Sequence, residues 1–364
     1  MVTIKDVAKQ CNVSIATVSN VINGKQNVSE ATRRQVMDAI ERLNYTPNAV
    51  AKNLKSKRTK TLGIIVEDIT VFCAPGILDG ITKCCEEKGY NIVFTNLRLY
   101  EKFGDAYYNN EDFYKLAECQ LQQIIAKQVD GIIYVTAHER ELSCIPDNLP
   151  VPVVMSYGYI ESDRYPSVFV DDETGAYELI KYVLSQGHSR IGVIGGKHDS
   201  IHTHNRMSGY KKALKEAGIE YDDRLVVEGD WNRESGFEKT DALLDQNVTA
   251  IFCMNDIMAG GVYSRLEEEG LVPGDDISVV GYDDRELSRY MNPPLTTMSI
   301  PLKEIGYQTA LRIIAQIESV EILGENGAVS QTDIDIAKLK EELDKLEIPV
   351  AGELKVRRSV KKMS

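Results

Sequence analysis

The chain has 364 residues, 43% of them hydrophobic and 27% charged, which suits a soluble globular protein of two or three domains. No run approaches the roughly 20 apolar residues that cross a bilayer, and the N-terminus lacks a secretion signal, so a cytoplasmic protein is expected. The first 60 residues carry a net charge of +7, which leaves −20 for the rest of a chain whose total is −13. This division favours contact with a polyanion through the first segment alone.

The cysteines and histidines give no sign of a disulfide framework or a metal site. The seven cysteines are an odd number, form no C-x-x-C pair and have no histidine cluster near them in the sequence. We therefore expect buried, reduced thiols, no metal and no cofactor.

Three short helical patterns fill the first 46 residues. Thr3 and Asp6 have the spacing of a capping box, which predicts a first helix with one apolar stripe. Ser14 caps a second helix that ends at Asn23-Gly24, and Ser29 opens a third. Only two or three residues separate the first two helices, as in a helix-turn-helix, so residues 1–46 are predicted to form one DNA-binding domain.

The outward face of the second helix distinguishes a DNA reader from an ordinary three-helix bundle. Its side chains are short or uncharged and are suited to base edges or phosphate oxygens: Ile15, Ala16, Thr17, Ser19 and Asn20. Asparagine pairs bidentately with adenine, and alanine or isoleucine contacts the thymine methyl group. Together with the basic charge, this face favours double-stranded DNA as the partner over a bundle without a ligand.

Three runs of sequence carry a family resemblance: TIKDVA (residues 3–8), VSIATVSNVING (13–24) and LNYTPNAVA (43–51). They closely resemble the head of the lactose-repressor (LacI/GalR) family, and the similarity continues through most of the chain. The resemblance implies a transcription regulator, expected to be a repressor, with Ile15, Ala16 and Asn20 facing the bases of the major groove. Many members have arginine in place of Asn20, so a different operator is expected.

Residues 47–60 are predicted to be a hinge helix and linker. Pro47 suits the first position of a helix, but two turns are too short to be stable alone. The resemblance implies that the hinge folds in the minor groove beside the partner subunit's hinge, with Asn48 and Lys55 in the DNA-binding set and Leu54 wedged between base pairs. The alternative for Leu54 is a packing leucine, although its neighbours are polar.

Residues 61–364 alternate short apolar runs with helical patterns, which predicts parallel sheets covered by helices. The resemblance implies an α/β body with the two lobes of a periplasmic-binding protein, which binds the effector and forms the dimer. We place one lobe at about 61–160 plus 296–325 and the other at about 161–295 plus 326–364. Crossings between lobes are expected near residues 159–166, 293–298 and 325–335.

Two segments depart from the family pattern. Residues 97–112 look longer than the usual connection, and residues 318–347 look like an insertion with an amphipathic helix near residues 332–347. The chain then returns to the pattern at residues 352–360, which resemble the final strand of the family.

Polar residues follow several predicted strands, where a ligand of such a fold would bind. Asn255 and Asp283 come after two of these strands, and Arg206 opens a helix. The resemblance implies that these three hold the effector, while Trp231, Phe252 or Tyr157 covers the face of a sugar ring. The alternatives are that Asp283 caps a helix and that Trp231 is a packing residue.

The combined prediction is a homodimeric repressor that binds a pseudo-palindromic operator and answers a sugar or a sugar phosphate. A nucleobase or nucleoside effector is the alternative, against which Asn255 argues. A sugar-modifying enzyme is disfavoured, because residues 192–196 lack a phosphate-loop spacing and no catalytic set stands out. A secreted sugar-binding protein is disfavoured by the basic head.

Overall fold

A computed structural model of the chain describes residues 2–22, 25, 27–45, 58–104, 110–160, 165–325 and 344–363. The chain divides into two compact units, a head of residues Met1–Thr59 and a body of residues Lys60–Ser364.

The described part of the head contains α1 (Ile4–Cys11), α2 (Ile15–Ile22) and α3 (Glu30–Arg42). The predicted caps are present: the Asp6 carboxylate accepts hydrogen bonds from the backbone and hydroxyl of Thr3, Ser14 accepts from Thr17 N, and Ser29 accepts from Thr32 N. The apolar stripes of the helices meet in a small core: Val7, Ala8, Cys11, Val18, Val21, Val36, Ala39 and Tyr45. The three predicted helices are confirmed, and the stop at Asn23-Gly24 lies outside the described residues.

The body alternates strands and helices as predicted. Its described helices are α4 (Cys73–Lys88), α5 (Leu99–Phe103), α6 (Glu111–Ile125), α7 (Asp172–Ser185), α8 (Ile201–Glu216), α9 (Arg233–Leu244), α10 (Asp256–Glu268), α11 (Leu287–Tyr290) and α12 (Leu302–Glu325). Its described strands are β1 (Thr61–Val66), β2 (Asn91–Asn96), β3 (Gly131–Val135), β4 (Val153–Ser156), β5 (Ser167–Val170), β6 (Ile191–Gly195), β7 (Val226–Glu228), β8 (Ala250–Cys253), β9 (Ser278–Asp283), β10 (Thr296–Ser299), β11 (Glu347–Val350) and β12 (Leu354–Lys355).

These strands form two six-stranded sheets, one for each lobe. The first has the order β11-β5-β4-β3-β1-β2, and the second has the order β12-β10-β9-β8-β6-β7. All described pairings are parallel except that of β10 with β12. Central strands such as β3 and β9 are buried along their whole length because helices cover both faces. The predicted fold class, an all-α head with a two-lobed α/β body, is confirmed.

The chain crosses between the sheets at other points than the sequence predicted. β5 pairs with β4 in the first sheet, so the first crossing comes after Val170 rather than at 159–166. β10 belongs to the second sheet and β11 to the first, which moves the other crossings to residues 299–302 and 350–354. The predicted lobe boundaries are therefore wrong by up to about 25 residues, because strand residues do not encode which sheet the strand joins.

The two unusual segments are described only in part. Residues 97–112 contain α5 and the start of α6, and residues 105–109 lie outside the described set. The segment 318–347 begins as the end of α12 and finishes at the first residue of β11. Its predicted amphipathic helix falls mainly on residues 326–343, which are not described.

Two adjacent glycines of α10 give a matched test of helix packing. A Cβ on Gly261 would lie 2.0 Å from the Arg233 carbonyl oxygen of α9, whereas a Cβ on Gly260 would meet nothing within 4 Å. Gly261→Ala should therefore destabilise the protein by about 1 to 3 kcal/mol through overpacking. Gly260→Ala should be neutral or stabilise it by up to about 1 kcal/mol, because alanine favours the helix. Urea unfolding of both variants measures the difference, and equal midpoints would contradict this account of the α9–α10 contact.

Candidate effector cleft and DNA-reading helix

The predicted DNA-reading residues lie on α2 in two groups. Ile15 and Ala16 are exposed, whereas Thr17, Ser19 and Asn20 are half-buried. Ser14 and Thr17 share a hydroxyl hydrogen bond of 2.8 Å, which places Thr17 beside the cap at the start of the helix. Val18 and Val21 face the opposite way, into the core. The start of α2 therefore presents an isoleucine that is 45% exposed next to a small side chain, as an approach to base edges requires.

The predicted hinge contacts cannot be placed. Asn48, Leu54 and Lys55 lie outside the described residues, so their DNA-binding roles stay predictions.

A cleft of about 730 Å³ lies in the body, where loops after strands of the two sheets meet. The first lobe contributes residues 137–142 after β3 and Tyr157 after β4, and the second contributes residues after β6, β7, β8 and β9. Five of the six predicted effector residues line this cleft: Tyr157, Arg206, Trp231, Asn255 and Asp283. A volume of this size is typical of small-molecule sites.

Phe252 is the predicted residue that the structure does not bring to the cleft. It lies inside β8, is fully buried and packs in the hydrophobic core. The prediction that Phe252 covers a ligand is therefore wrong. The side chains of one strand alternate between its two faces, so a position near a strand end does not guarantee that its side chain faces the cleft.

Arg206 is the buried cation of the site. Its Nε donates to Asp172 Oδ1 at 2.8 Å, its Nη1 lies 3.6 Å from Asp283 Oδ1, and Nη1 also donates to the Met254 carbonyl. Its guanidinium carbon lies 3.8 Å from the centre of the Tyr282 ring. Burial opposes the charge, but Asp172 and Asp283 raise the pKa of Arg206 above its usual value. The guanidinium is thus charged and held by carboxylates on two sides.

The sequence analysis missed Asp172, a buried carboxylate that contacts Arg206. Its two oxygens contact Arg206 Nε and, at 2.5 Å, His202 Nδ1. Burial would raise the pKa of Asp172, but Arg206 and His202 outweigh burial and hold it below the usual value. For His202, burial lowers the pKa and Asp172 raises it, with a net rise. A signal was present in the sequence, because Asp172 lies two residues after the apolar run Val168-Phe169-Val170.

Asn255 is fixed by two hydrogen bonds. Its Oδ1 accepts from Met258 N at 2.7 Å, so it caps α10, and its Nδ2 donates to the Trp231 carbonyl at 2.9 Å. The neighbouring Asp256 accepts from Thr297 Oγ1 and from Arg285 N, and Asp283 ends β9 rather than capping a helix. The cap therefore belongs to Asn255, whose remaining lone pair and N–H can still serve a ligand.

Trp231 shapes one wall of the cleft. A Cβ on Gly196 would lie 1.9 Å from the indole, so the glycine after β6 leaves room for the ring. Trp231, Tyr157 and Asp283 have backbone φ angles of 76°, 64° and 106°, a region that non-glycine residues seldom adopt. Such conformations persist where the surrounding structure holds them, and they concentrate at ligand sites.

Glu139 enters the cleft from the first lobe and was also missed. It follows β3, is only 7% exposed, and burial raises its pKa to about 7 against the opposing charges of His202 and Arg206. The ligand atoms of Glu139, Asp172 and His202 lie within 4.8 Å of one another, so these three residues could hold a metal ion. No local sequence signal joins residues so far apart in the chain.

Comparison with known proteins assigns the family. Residues 3–48 match the model for bacterial regulatory proteins of the lacI family, and residues 180–333 match a periplasmic binding protein-like domain. The HTH-type transcriptional repressor PurR of Vibrio atlanticus (strain LGP32) is 36% identical over 312 residues, which cover 84% of this chain and 89% of the relative.

Two solved structures extend the comparison to nearly the whole chain. The lac repressor dimer bound to operator and the anti-inducer ONPF aligns with a TM-score of 0.70 at 26% identity, over 99% of each chain. A transcriptional regulator CelR–cellobiose complex aligns with a TM-score of 0.60 at 27% identity, over 99% of this chain and 100% of that one.

The chain belongs to the lacI family of bacterial regulatory proteins, and it is a DNA-binding transcription regulator. The family resemblance predicted from the sequence is confirmed. At the family level these proteins are regulators rather than enzymes. Among the described residues, no helix is both long and apolar enough to cross a membrane.

Substitutions of Asp172 and its neighbour Glu173 test the buried ion pair between Asp172 and Arg206. Asp172→Asn should destabilise the protein by about 3 kcal/mol or more, because Arg206 would stay buried without its nearest carboxylate. Glu173→Gln should cost less than about 1 kcal/mol, since Glu173 pairs with Lys212 on the surface. Chemical denaturation of both variants checks this, and a similar loss in each would show that the Asp172–Arg206 pair contributes no more than a surface pair.

Proposed function

We propose that this protein is a transcriptional repressor that reads an operator with α2 and works as a homodimer. The observation that supports DNA binding is the exposed start of α2 within a capped three-helix head. The lac repressor relative is described as a dimer on its operator, and the Vibrio relative is named a repressor. One short recognition helix makes few base contacts, so two copies on a pseudo-palindromic site are expected.

Asn20→Ala tests direct base reading. The change should weaken binding to the operator by about 1 to 3 kcal/mol, because asparagine contributes a bidentate contact to adenine. Affinity for random DNA should stay the same, since that affinity depends on phosphate contacts. The operator is first recovered by selection from random duplexes, and binding is then measured by fluorescence anisotropy at two salt concentrations.

Met37→Ala is the control for this measurement. Met37 is exposed on α3, outside the proposed reading face, and its loss should change neither affinity. If Asn20→Ala lowered operator and random affinity by the same factor, Asn20 would not read bases.

We further propose that a sugar or a sugar phosphate binds in the cleft and changes operator affinity. The supporting observation is that Arg206, Asn255 and Asp283 line the same cleft as Trp231, with the Arg206 guanidinium carbon 5.8 Å from the centre of the indole ring. Forked donors and acceptors suit adjacent hydroxyl groups, and an aromatic ring covers the apolar face of a pyranose. The CelR relative is described as a complex with cellobiose, which is consistent with a carbohydrate.

The cleft also explains how a ligand would act. Its walls come from both lobes, so a molecule that contacts Tyr157 and Asn255 together favours a closed arrangement of the lobes. A change in lobe arrangement is the step that would alter operator affinity.

Arg206→Lys tests the effector site while keeping the buried positive charge. The single ammonium cannot reproduce the fork between Asp172, Asp283 and the ligand, so effector affinity should fall at least tenfold, about 1.4 kcal/mol. A thermal-shift screen of neutral sugars, sugar phosphates, nucleobases and nucleosides identifies the effector, and calorimetry gives the affinities. Operator affinity without effector should remain that of the wild type.

Arg224→Lys is the matched control, because Arg224 pairs with Asp222 on the surface of the same lobe. Equal effector affinity in the two variants would contradict the cleft assignment. A response to nucleobases or nucleosides but to no sugar would favour the alternative effector class.

A further inference from the structure

Three side chains from both lobes meet at the back of the cleft. Glu139 follows β3 of the first lobe, Asp172 begins α7 of the second lobe, and His202 lies in the first turn of α8. Their ligand atoms all lie within 4.8 Å of one another. Glu139 and His202 line the cleft, and Asp172 lies behind them, fully enclosed.

Glu139 has a buried oxygen without a partner. No described residue donates a hydrogen bond to its Oε2, although only 7% of the residue is exposed. A buried polar atom left unsatisfied usually costs about 1 to 3 kcal/mol, and more for a charged group. Native proteins seldom keep such an atom unless a ligand, an ion or water satisfies it.

The groups near the Glu139 carboxylate indicate which kind of ligand could bind to its Oε2. Ligand atoms of the Asp172 carboxylate and the His202 imidazole lie within 4.8 Å of a carboxylate oxygen of Glu139. Asp172 Oδ1 accepts a hydrogen bond from Arg206, and Asp172 Oδ2 lies 2.5 Å from His202 Nδ1. Oδ2 is therefore the Asp172 oxygen that could bind an ion. Two carboxylate oxygens and one imidazole nitrogen are a common donor set for zinc and for manganese.

The distances are close to those of a bound ion. With metal–ligand bonds of about 2.0 to 2.2 Å, two ligand atoms on one ion lie at most about 4.4 Å apart. All three ligand atoms lie within 4.8 Å of one another, so the Glu139 oxygen has to approach by at most a few tenths of an ångström, whereas the 2.5 Å between His202 Nδ1 and Asp172 Oδ2 has to open to admit an ion.

We propose that Glu139, Asp172 and His202 bind one divalent transition-metal ion, such as Zn²⁺ or Mn²⁺, between the lobes. The ion takes the place of the hydrogen that His202 and Asp172 now share, and it satisfies Glu139 Oε2. Three protein ligands leave at least one coordination position open to the cleft, for water or for a ligand hydroxyl. The site would therefore tie the two lobes together, whichever class of effector the cleft binds.

The test uses the full chain without an affinity tag, stripped of metal by a chelator. Zn²⁺ and Mn²⁺ are titrated separately by calorimetry, Mn²⁺ binding is followed by electron paramagnetic resonance, and Mg²⁺ serves as the comparison. We expect one Zn²⁺ or Mn²⁺ per chain, weaker binding of Mg²⁺, and a rise in melting temperature that the chelator reverses. Failure of the wild-type protein to bind either ion would overturn the proposal.

Two variants and two controls locate the ion. Glu139→Gln and His202→Gln should each weaken metal binding at least tenfold, while the metal-free Glu139→Gln protein should be at least as stable as the wild type. Glu141→Gln, at another acidic position lining the cleft, should leave metal binding unchanged. His204→Gln controls for the exposed His198–His204 pair, whose ring centres are 5.8 Å apart.

Each result either supports or contradicts the proposed metal site. Loss of binding in the first two variants alone supports the site. Loss of binding in His204→Gln, or unchanged binding in Glu139→Gln, means that the ion binds elsewhere and overturns the proposal. The sugar-effector proposal is measured separately with metal-free protein, so either proposal can fail without the other.

Discussion

The guanidinium of Arg206 is the constraint around which the cleft is built. A buried charge is tolerated only when it is paired and hydrogen-bonded, and this one is held by Asp172, Asp283 and the Met254 carbonyl. Those partners come from the start of α7 and from the ends of β9 and β8. Helix α8, which carries Arg206, must therefore keep its position relative to three other elements, and the floor of the cleft is preorganised before any ligand arrives.

The same network limits the number of hydrogen bonds that the arginines of the cleft can offer to a ligand. Arg206 and Arg285 both contact Asp283, and Arg140 pairs with the buried Glu67 through two hydrogen bonds of 2.8 Å. These arginines position the walls as much as they offer donors. The specificity of the proposed effector site therefore depends mainly on groups that can still form hydrogen bonds, such as Asn255, and on the ring of Trp231.

The lobes are joined in a way that couples the cleft to the whole body. The chain passes between the sheets after β5, after β10 and after β11, and these three segments lie next to each other, since Asp171 N donates to the Val350 carbonyl and Ser299 N donates to the Glu353 carbonyl. A change in the angle between the lobes is taken up by these short segments, as in other hinged α/β proteins. Residues on opposite sides, such as Glu139 and His202, are then brought closer or moved apart.

Local signals in the sequence were sufficient for the three helices of the head and for the alternation of strands and helices in the body. The caps at Thr3, Ser14 and Ser29 depend on contacts within four residues, so they could be read directly and were confirmed. The polar residues that follow strands were also found from the pattern, because parallel strands bring their carboxyl ends to one edge. Five of the six predicted effector positions line the cleft, and among them Tyr157, Asn255 and Asp283 lie at the ends of strands.

The sequence by itself determined the charge division, the capped helices, the alternation of strands and helices, and the positions of Asn255 and Asp283 at the ends of their strands. Arg206, predicted to open a helix, lies inside α8, which begins at Ile201. Only the tertiary structure decided which sheet β5, β10 and β11 join, that Phe252 packs in the core, and that Glu139 meets Asp172 and His202. The physical reason is the distance along the sequence between the residues that interact. Caps and periodicity arise between near neighbours, whereas strand pairing and a cluster across two lobes depend on contacts between residues 12 or more positions apart.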